Sequence, residues 1–354
     1  MKRLSLLTYF LFLALAVCFA QKKYSMYAIG FYNQENLFDT CHDEGKRDYD
    51  FLPTGSYKWN GLKYTHKLRN MARVLAEMAT DKLPYGCAFI GLSEVENAKC
   101  LQDLCAQEPL KKRDMQFVHF EGVDKRGVDV AALYNPKMFK IDNDKTSLVP
   151  FEREDTTFFT RGFLVVRGTI AGDKVCCIVC HLPSRLRGDD FYRVSGAQQL
   201  AKIKDNILAQ EPDTKFFIMG DMNDDPTDRS MTKGLRGKEN IAEVGDGDLY
   251  NPWISVLKSG TGTLRYNGAW NLFDQILVTP NLLVKDGGKD YQKAVMKDCE
   301  SLKYYNHQIF RRDYLFQTEG KYKGNPKRTH AGGQWLDGYS DHLPVIVYVV
   351  KEKK

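Results

Sequence analysis

Eight short runs of apolar, β-branched and aromatic residues punctuate this chain, at 27–31, 87–92, 128–134, 163–166, 175–180, 216–219, 276–278 and 343–350. Runs of that length without a polar alternate face read as strands buried on both sides. Between them Tyr64, Leu68, Met71, Ala72, Leu75 and Met78 recur at helical spacing, as do Val194, Ala197, Leu200, Ile203 and Ile207. Each helix therefore buries one stripe against a sheet. The polar residues that flank the strands then constrain strand direction. Asn33, Glu94, His181 and the pair Asp221 and Asn223 follow their runs, at carboxyl ends, whereas Asp274 and Asp341-His342 precede theirs, at amino ends. One site can gather both groups only if the later strands run antiparallel to the earlier ones. This predicts mixed sheets and argues against a doubly wound Rossmann arrangement, whose ligands collect at carboxyl ends alone.

With 43 % hydrophobic residues among 354, the chain has ample material for a core, which excludes a disordered or low-complexity protein. No repeat, Ser- or Pro-rich linker or charge block divides it, so residues 21–354 read as one catalytic domain. Weakly patterned stretches at 234–248 and 301–330 are expected to be long loops near a site. Residues 1–20 have the pattern of a secretory signal peptide: Lys2-Arg3, an apolar run too short for a comfortable membrane span, and small residues at Cys18 and Ala20. The expectation is an exported protein, periplasmic or secreted, with no stable membrane insertion once that segment is removed. Lipid attachment through Cys18 is the alternative, and bulky Val17 speaks against it. Loss of the segment takes away Lys2 and Arg3 and no acid, lowering the formal charge from +6 to +4, a mild bias toward anionic partners. Eight of the nine cysteines remain, and export permits disulfides, with Cys100 and Cys105 able to close a short loop. Cys176, Cys177 and Cys180 lie in a strand run where neighbours point to opposite faces, so they read as small core side chains rather than a metal cluster.

The strand-end residues form a particular chemical set: carboxylates at Glu94, Asp221, Asp341 and Asp274, carboxamides at Asn33 and Asn223, imidazoles at His181 and His342. Hard oxygen donors with few nitrogens suit Mg²⁺, with Mn²⁺ or Ca²⁺ as alternatives, and do not suit tetrahedral zinc. Histidines beside such an ion can hydrogen-bond phosphate oxygens, and phosphoryl transfer is the chemistry that needs this mixture. Each residue also has a plainer explanation: Glu94 as a helix-capping acid before Asn97, Asn33 as a turn residue, Asp221 as part of an Asp-rich turn ending at Pro226, and either histidine as a satisfied core side chain.

Seven stretches, in order, carry a resemblance. They are 31–38 (Phe-Tyr-Asn-Gln-Glu-Asn-Leu-Phe), 92–97 (Leu-Ser-Glu-Val-Glu-Asn), 126–134 (Arg-Gly-Val-Asp-Val-Ala-Ala-Leu-Tyr), 181–185 (His-Leu-Pro-Ser-Arg), 220–224 (Gly-Asp-Met-Asn-Asp), 271–276 (Asn-Leu-Phe-Asp-Gln-Ile) and 340–342 (Ser-Asp-His). Together they resemble the motifs of the endonuclease/exonuclease/phosphatase family, which is deoxyribonuclease I-like, over about residues 27–350. The resemblance implies a four-layered α/β sandwich, helix–sheet–sheet–helix, with two mixed, mainly antiparallel sheets and the site at one edge of them. It further implies Glu94 as principal metal ligand with Asn33 and Asp341 beside it, Asp221 aligning and deprotonating the attacking water, and Asn223 holding that geometry. His342 would touch the scissile phosphate, oriented by Asp274, and His181 would be a second phosphate contact or leaving-group stabiliser. Arg185, Arg187 and Arg193 can clamp a phosphate or belong to a solvated helix start; Trp270 and Tyr266 can be a stacking wall or core; Arg126 and Asp129 have no assigned role. Tyr32 and Cys180 depart from the family pattern in ways that touch substrate shaping. The activity implied is metal-dependent phosphodiester hydrolysis on nucleic acid. A sphingomyelinase-like or inositol-phosphate hydrolase is the alternative within the chemistry, and a binding protein on a disabled nuclease scaffold is the alternative outside it.

Overall fold

The computed structural model describes residues 23–266 and 268–353, so the expected signal segment and Cys18 lie outside the described residues. In chain order the strands are β1 (Tyr24–Leu37), β2 (Phe89–Val95), β3 (Gln116–His119), β4 (Asp129–Tyr134), β5 (Phe139–Val149), β6 (Phe163–Ile170), β7 (Asp173–His181), β8 (Lys215–Asp221), β9 (Gly237–Lys238), β10 (Leu249–Tyr250), β11 (Leu264–Tyr266), β12 (Ala269–Asn271), β13 (Asp274–Val278), β14 (Lys303–Ile309), β15 (His330–Ala331), β16 (Gln334–Trp335) and β17 (Val345–Glu352). One sheet has the order β14-β17-β1-β2-β4-β3 and a second the order β5-β6-β7-β8-β13-β10-β9. Within them β1 and β2 run parallel, as do β7 and β8, while β17 lies antiparallel to β1 and β13 antiparallel to β8. That is the mixed arrangement the strand-end residues demanded.

Alternation along the strands sorts their side chains into three interior layers. From β1, Ile29 and Phe31 face the second sheet, where they join Val179, Phe217, Met219 and Ile276. Ala28 and Tyr32, from the opposite face of β1, pack under helix α1 (Gly61–Glu77), whose stripe of Leu68, Met71 and Leu75, extended by Met78 just past its end, is buried on them. The second sheet repeats the pattern: Cys177 faces the sheet–sheet core, while Cys176, Ile178 and Cys180 face Ala197 and Leu200 of the long helix at Phe191–Gln210, called α3 below. Removal of a fully buried Leu or Phe side chain from water stabilises by about 1.5–3 kcal/mol. The architecture is therefore helix–sheet–sheet–helix, as expected. Gly91 lets β2 lie close against the second sheet, since a Cβ there would stand 2.8 Å from Met219 Sδ and 3.0 Å from Val179 Cγ2.

Three expectations need correction. The stretch at 301–330 is not all loop, because β14 forms the outer edge of the first sheet; its Lys-Tyr-Tyr-Asn-His-Gln-Ile sequence lacks the apolar density of an inner strand. Cys100 and Cys105 are free. Both lie on helix α2 (Ala98–Cys105), and five residues of helical rise separate them by about 7.5 Å, beyond disulfide reach. Finally, Tyr32 and Cys180 are completely buried in the helix–sheet layers and so shape packing rather than a substrate surface. Among the described residues, no helix is long and apolar enough to cross a membrane.

Candidate active site

Register alone brings three of the expected residues into one row. His181 of β7 pairs with Asp221 of β8, which pairs in turn with Asp274 of β13, so all three project from adjacent strands at the same level. Gly220 makes this possible, because a Cβ there would sit 2.2 Å from the Cys180 carbonyl oxygen. The turn before β17 delivers His342 from the other sheet, and its Nδ1 lies 2.7 Å from Asp274 Oδ2. His342 Nε2 then faces Asp221 Oδ2 at 3.8 Å and Asp341 Oδ1 at 3.9 Å. Asn33, at the end of the inner part of β1, donates from Nδ2 to Asp221 Oδ2 at 3.0 Å, while the backbone amide of Asn223 donates to Oδ1 at 2.9 Å. His181 Nε2 completes the ring, 3.5 Å from Asp221 Oδ2 and 4.0 Å from Glu94 Oε1.

Glu94 sits at a break in register on β2, with φ +60°, a left-handed conformation that costs a non-glycine residue about 1–2 kcal/mol. Its Oε2 accepts the Asn36 amide at 3.0 Å, and Arg126 Nη2 stands 3.9 Å from Oε1. The capping role considered for Glu94 falls instead to Asn97, whose Oδ1 accepts from Cys100 N at the start of α2. Glu94, Asp341 and His342 share the wall of a cavity of about 280 Å³ with Glu35, Asn36 and Arg328. Larger hollows lie beside α3 and along β5 and β6, and the charged one, where Glu211 is paired with Lys145, Arg167 and Lys174, contains none of the expected site residues.

The electrostatics set the two imidazoles apart. Burial alone would push His342 down, but Asp274 and Asp221 overcome it and hold the ring well above its ordinary value, so it is charged at neutral pH. His181 goes the other way: burial, reinforced by Arg161, Arg126 and the charged His342, drives it well below its ordinary value, leaving it neutral. Burial raises Asp221 to about 7, with His342 opposing and Asp274 adding to the rise. Although buried, Asp341 is held below the usual carboxylate range by His342, Arg328 and Lys67.

A buried charge network behind Asp341 escaped the sequence reading. Lys67, on the inner face of α1, donates from Nζ to Thr329 Oγ1 at 2.7 Å and to the Tyr339 carbonyl at 2.6 Å. Arg328 bridges Glu35 and Asp341, and the Thr329 amide donates to Glu35 Oε2 at 2.7 Å. The available signal was Lys67 itself, a cation in step with Tyr64, Met71 and Leu75 on a stripe otherwise apolar.

The remaining expected residues lie outside the ring. Asn223, at φ +50°, turns its side chain back to the Leu182 carbonyl at 2.9 Å and ties the loops after β7 and β8 together. Arg185 lies over the Phe273 ring and contacts Asp224, Asp225 and Asp228, with Nε also donating to the Asn223 carbonyl. Arg193 is buried against Asp224 at 2.8 Å, and the Arg187 side chain lies outside the described residues. Asp129 accepts from Gly122 N and contacts His119. Trp270 and Tyr266 occupy the β11–β12 hairpin, Trp270 partly buried against the α1 layer and Tyr266 exposed.

The donor set fits a hard divalent cation. Glu94 and Asp341 present carboxylates to one cavity with Asn33 close behind, while Asp221, Asp274 and His342 bring ligating atoms within 4.8 Å of one another. The family model described as the Endonuclease/Exonuclease/phosphatase family matches residues 28–351. A search of curated proteins gives no match. Among solved structures the chain is similar to an endonuclease/exonuclease/phosphatase family protein from Bacteroides thetaiotaomicron, at 14 % identity and TM-score 0.55 over 94 % of this chain and 97 % of that one. It is also similar to ANGEL2, described as a 2′,3′-cyclic phosphatase, at 12 % identity and TM-score 0.59 over 94 % and 98 %. D. rerio TDP2 complexed with single strand DNA product matches at 16 % identity and TM-score 0.50 over 92 % and 99 %. The motifs, the four-layered fold and the family match over nearly all of the described chain place this protein in the endonuclease/exonuclease/phosphatase family of metal-dependent phosphoesterases.

Proposed function

We propose that this protein is an exported, Mg²⁺-dependent phosphodiesterase, with Mn²⁺ or Ca²⁺ as possible substitutes, that hydrolyses nucleic acid by in-line attack of an activated water. The observation that carries the reading is the charged His342–Asp274 pair at 2.7 Å, aimed across Asp221 into the cavity that holds Glu94 and Asp341. Export rests on the pattern of residues 1–20. Glu94 and Asp341, with Asn33 beside them, would hold the ion, which when bound supplies Lewis-acid polarisation of a phosphoryl oxygen. Asp221, poised near neutrality, takes the proton of the attacking water on Oδ2, the oxygen that Asn33 orients. His342 donates from Nε2 to a phosphate oxygen as charge grows there, and Asp274 holds the ring's orientation and charge by accepting from Nδ1. Neutral His181 offers a second hydrogen bond beside Asp221, to the phosphate or the leaving oxygen. The single strand DNA product of the TDP2 relative and the cyclic-phosphate activity named for ANGEL2 are both consistent with nucleic-acid phosphoesters as substrates.

Purified protein without residues 1–20 should hydrolyse bis(p-nitrophenyl) phosphate, lose that activity in chelator and regain it with Mg²⁺ or Mn²⁺. Full activity in chelator refutes the metal-dependent reading. Glu94→Gln should raise the Mg²⁺ concentration for half-maximal activity at least about tenfold, the range found when a carboxylate around a metal is altered. Plasmid DNA, single-stranded DNA, RNA, sphingomyelin vesicles and inositol phosphates, offered in parallel, decide the substrate. At least one nucleic acid should be cut, less so as salt rises. Hydrolysis confined to vesicles or inositol phosphates overturns the nuclease assignment.

A further inference from the structure

Beside the catalytic edge stands a group of cations and rings that the chemistry above does not use. Arg265 and Trp270 face each other across the β11–β12 hairpin, with Arg265 Cζ 5.6 Å from the indole centroid. From the segment after β14, Arg311 brings its Cζ to 5.1 Å from the same indole and 4.8 Å from the Phe316 ring. Trp270 is thus flanked by two guanidinium groups, and Tyr266, 62 % exposed, stands at the end of the hairpin. Among the described residues neither Arg265 nor Arg311 has a carboxylate within ion-pair distance. Burial alone pushes Arg311 down, with no acid to counter it. The contrast with neighbouring arginines is sharp: Arg312 is paired with Asp81 at 2.7 Å, Arg185 meets three aspartates and Arg328 meets two acids.

This group is tied to the site. Thr263, at the base of the hairpin, accepts from Leu343 N on its carbonyl at 2.7 Å and from Asp274 N on its Oγ1 at 3.3 Å. Leu272 N donates to Asp225 at 2.7 Å, and Phe310 N donates to the carbonyl of Pro344. Trp270 precedes Asp274 by four residues, so the two Cα atoms lie within about 14 Å.

We propose that Arg265, Arg311, Trp270 and Tyr266 form a strand-gripping surface that binds the nucleotides flanking the scissile phosphate of a single-stranded nucleic acid. The inference rests on the phosphodiesterase reading and deepens it. Arg265 donates from Nη2 to the Gly268 carbonyl at 2.6 Å, but with no acid to neutralise them among the described residues both guanidinium groups offer charge to backbone phosphates, while guanidinium planes and an exposed phenol ring offer stacking faces to bases. A duplex hides its base faces, so a surface that combines stacking with unpaired charge favours a single strand.

The test is anisotropy of a fluorescent single-stranded oligonucleotide with the metal-free protein, where nothing is turned over, between about 50 and 200 mM salt. Arg265→Ala/Arg311→Ala should weaken binding about tenfold or more and reduce the slope of log affinity against log salt by about 1.4, at about 0.7 per lost phosphate contact. Arg265→Lys/Arg311→Lys, which retains both charges and guards against a folding defect, should keep the slope while losing affinity. Tyr266→Ala should cost at least about fivefold through lost stacking. Unchanged affinity and slope in these variants overturn the proposal, as does binding of anionic lipid vesicles in place of the oligonucleotide. Hydrolysis of bis(p-nitrophenyl) phosphate by the unaltered protein is read separately. Its absence removes the phosphodiesterase reading, whereas indifference of strand binding to the arginine and tyrosine variants removes only this inference.

Discussion

Asp274→Asn lowers phosphodiester turnover about 10²–10⁴-fold, the range for a group that orients and charges a general acid–base partner. The substitution keeps size and burial but replaces the carboxylate that accepts from His342 Nδ1 at 2.7 Å. Two consequences separate this from a general loss of fold. First, His342→Ala costs at least as much, and the double variant is little worse than His342→Ala alone because the two residues act as one unit; additive losses would show that they work apart. Second, the pH profile moves in a defined direction. In the unaltered enzyme the active form has His342 protonated, and Asp274 is the largest influence holding it well above its ordinary value. Activity therefore persists through neutral pH and falls as pH rises through that elevated value. In Asp274→Asn the alkaline fall moves to lower pH. An alkaline limb that stays in place in the variant would sever the link between Asp274 and the charge on His342.

What could be read from the sequence follows from which forces act locally. All eight buried strand runs and both long helices became elements of the expected kind, because a strand buried on both faces and a helix with one apolar stripe each carry their pattern in consecutive residues. Strand direction was legible for a different reason: the polar residues had to converge, and Asn33, Glu94 and Asp221 could meet Asp274 and His342 only across antiparallel neighbours. Edge strands such as β5 and β14 were not legible, since a strand that pairs along one side and meets solvent can be built from lysine, asparagine and aspartate. The fine structure of the site was hidden as well. Nothing in the string distinguishes Arg185, held among three aspartates, from Arg265 and Arg311, which meet no acid among the described residues, because the aspartates of Arg185 lie 39 residues or more along the chain. Likewise, the opposite charge states of His181 and His342 arise from the difference between facing Arg161 and facing Asp274, a fact of three-dimensional placement.

Asp221→Asn should abolish most activity, by about 10²–10⁴-fold or more, and yet leave the metal-free protein more stable at alkaline pH. The reason is the raised position of Asp221 at about 7. A carboxyl group whose value rises on folding holds its proton more tightly in the folded state, so folding stability declines as pH climbs from the ordinary carboxylate range through about 7. At pH 8 and above the full penalty is present, and the rise from the ordinary 3.8 to about 7 bounds it at about 4 kcal/mol. An amide removes that penalty but introduces a smaller one. Asn33 Nδ2 and Asn223 N donate to opposite oxygens of Asp221, and Asn can accept only one of them, leaving a mismatch worth about 1–3 kcal/mol. The relief outweighs the mismatch at pH 8, falls to about 1.6 kcal/mol near pH 5, within the range of the mismatch, and disappears only below the ordinary carboxylate value of 3.8, where the unfolded chain is protonated too. Thermal denaturation in chelator should accordingly show the variant melting higher than the unaltered protein at pH 8, with the difference shrinking to zero or reversing near pH 5. A constant difference across that range would mean that Asp221 is not held in the poised state from which it draws a proton off water, and that its place among His181, His342 and Asn33 serves packing alone.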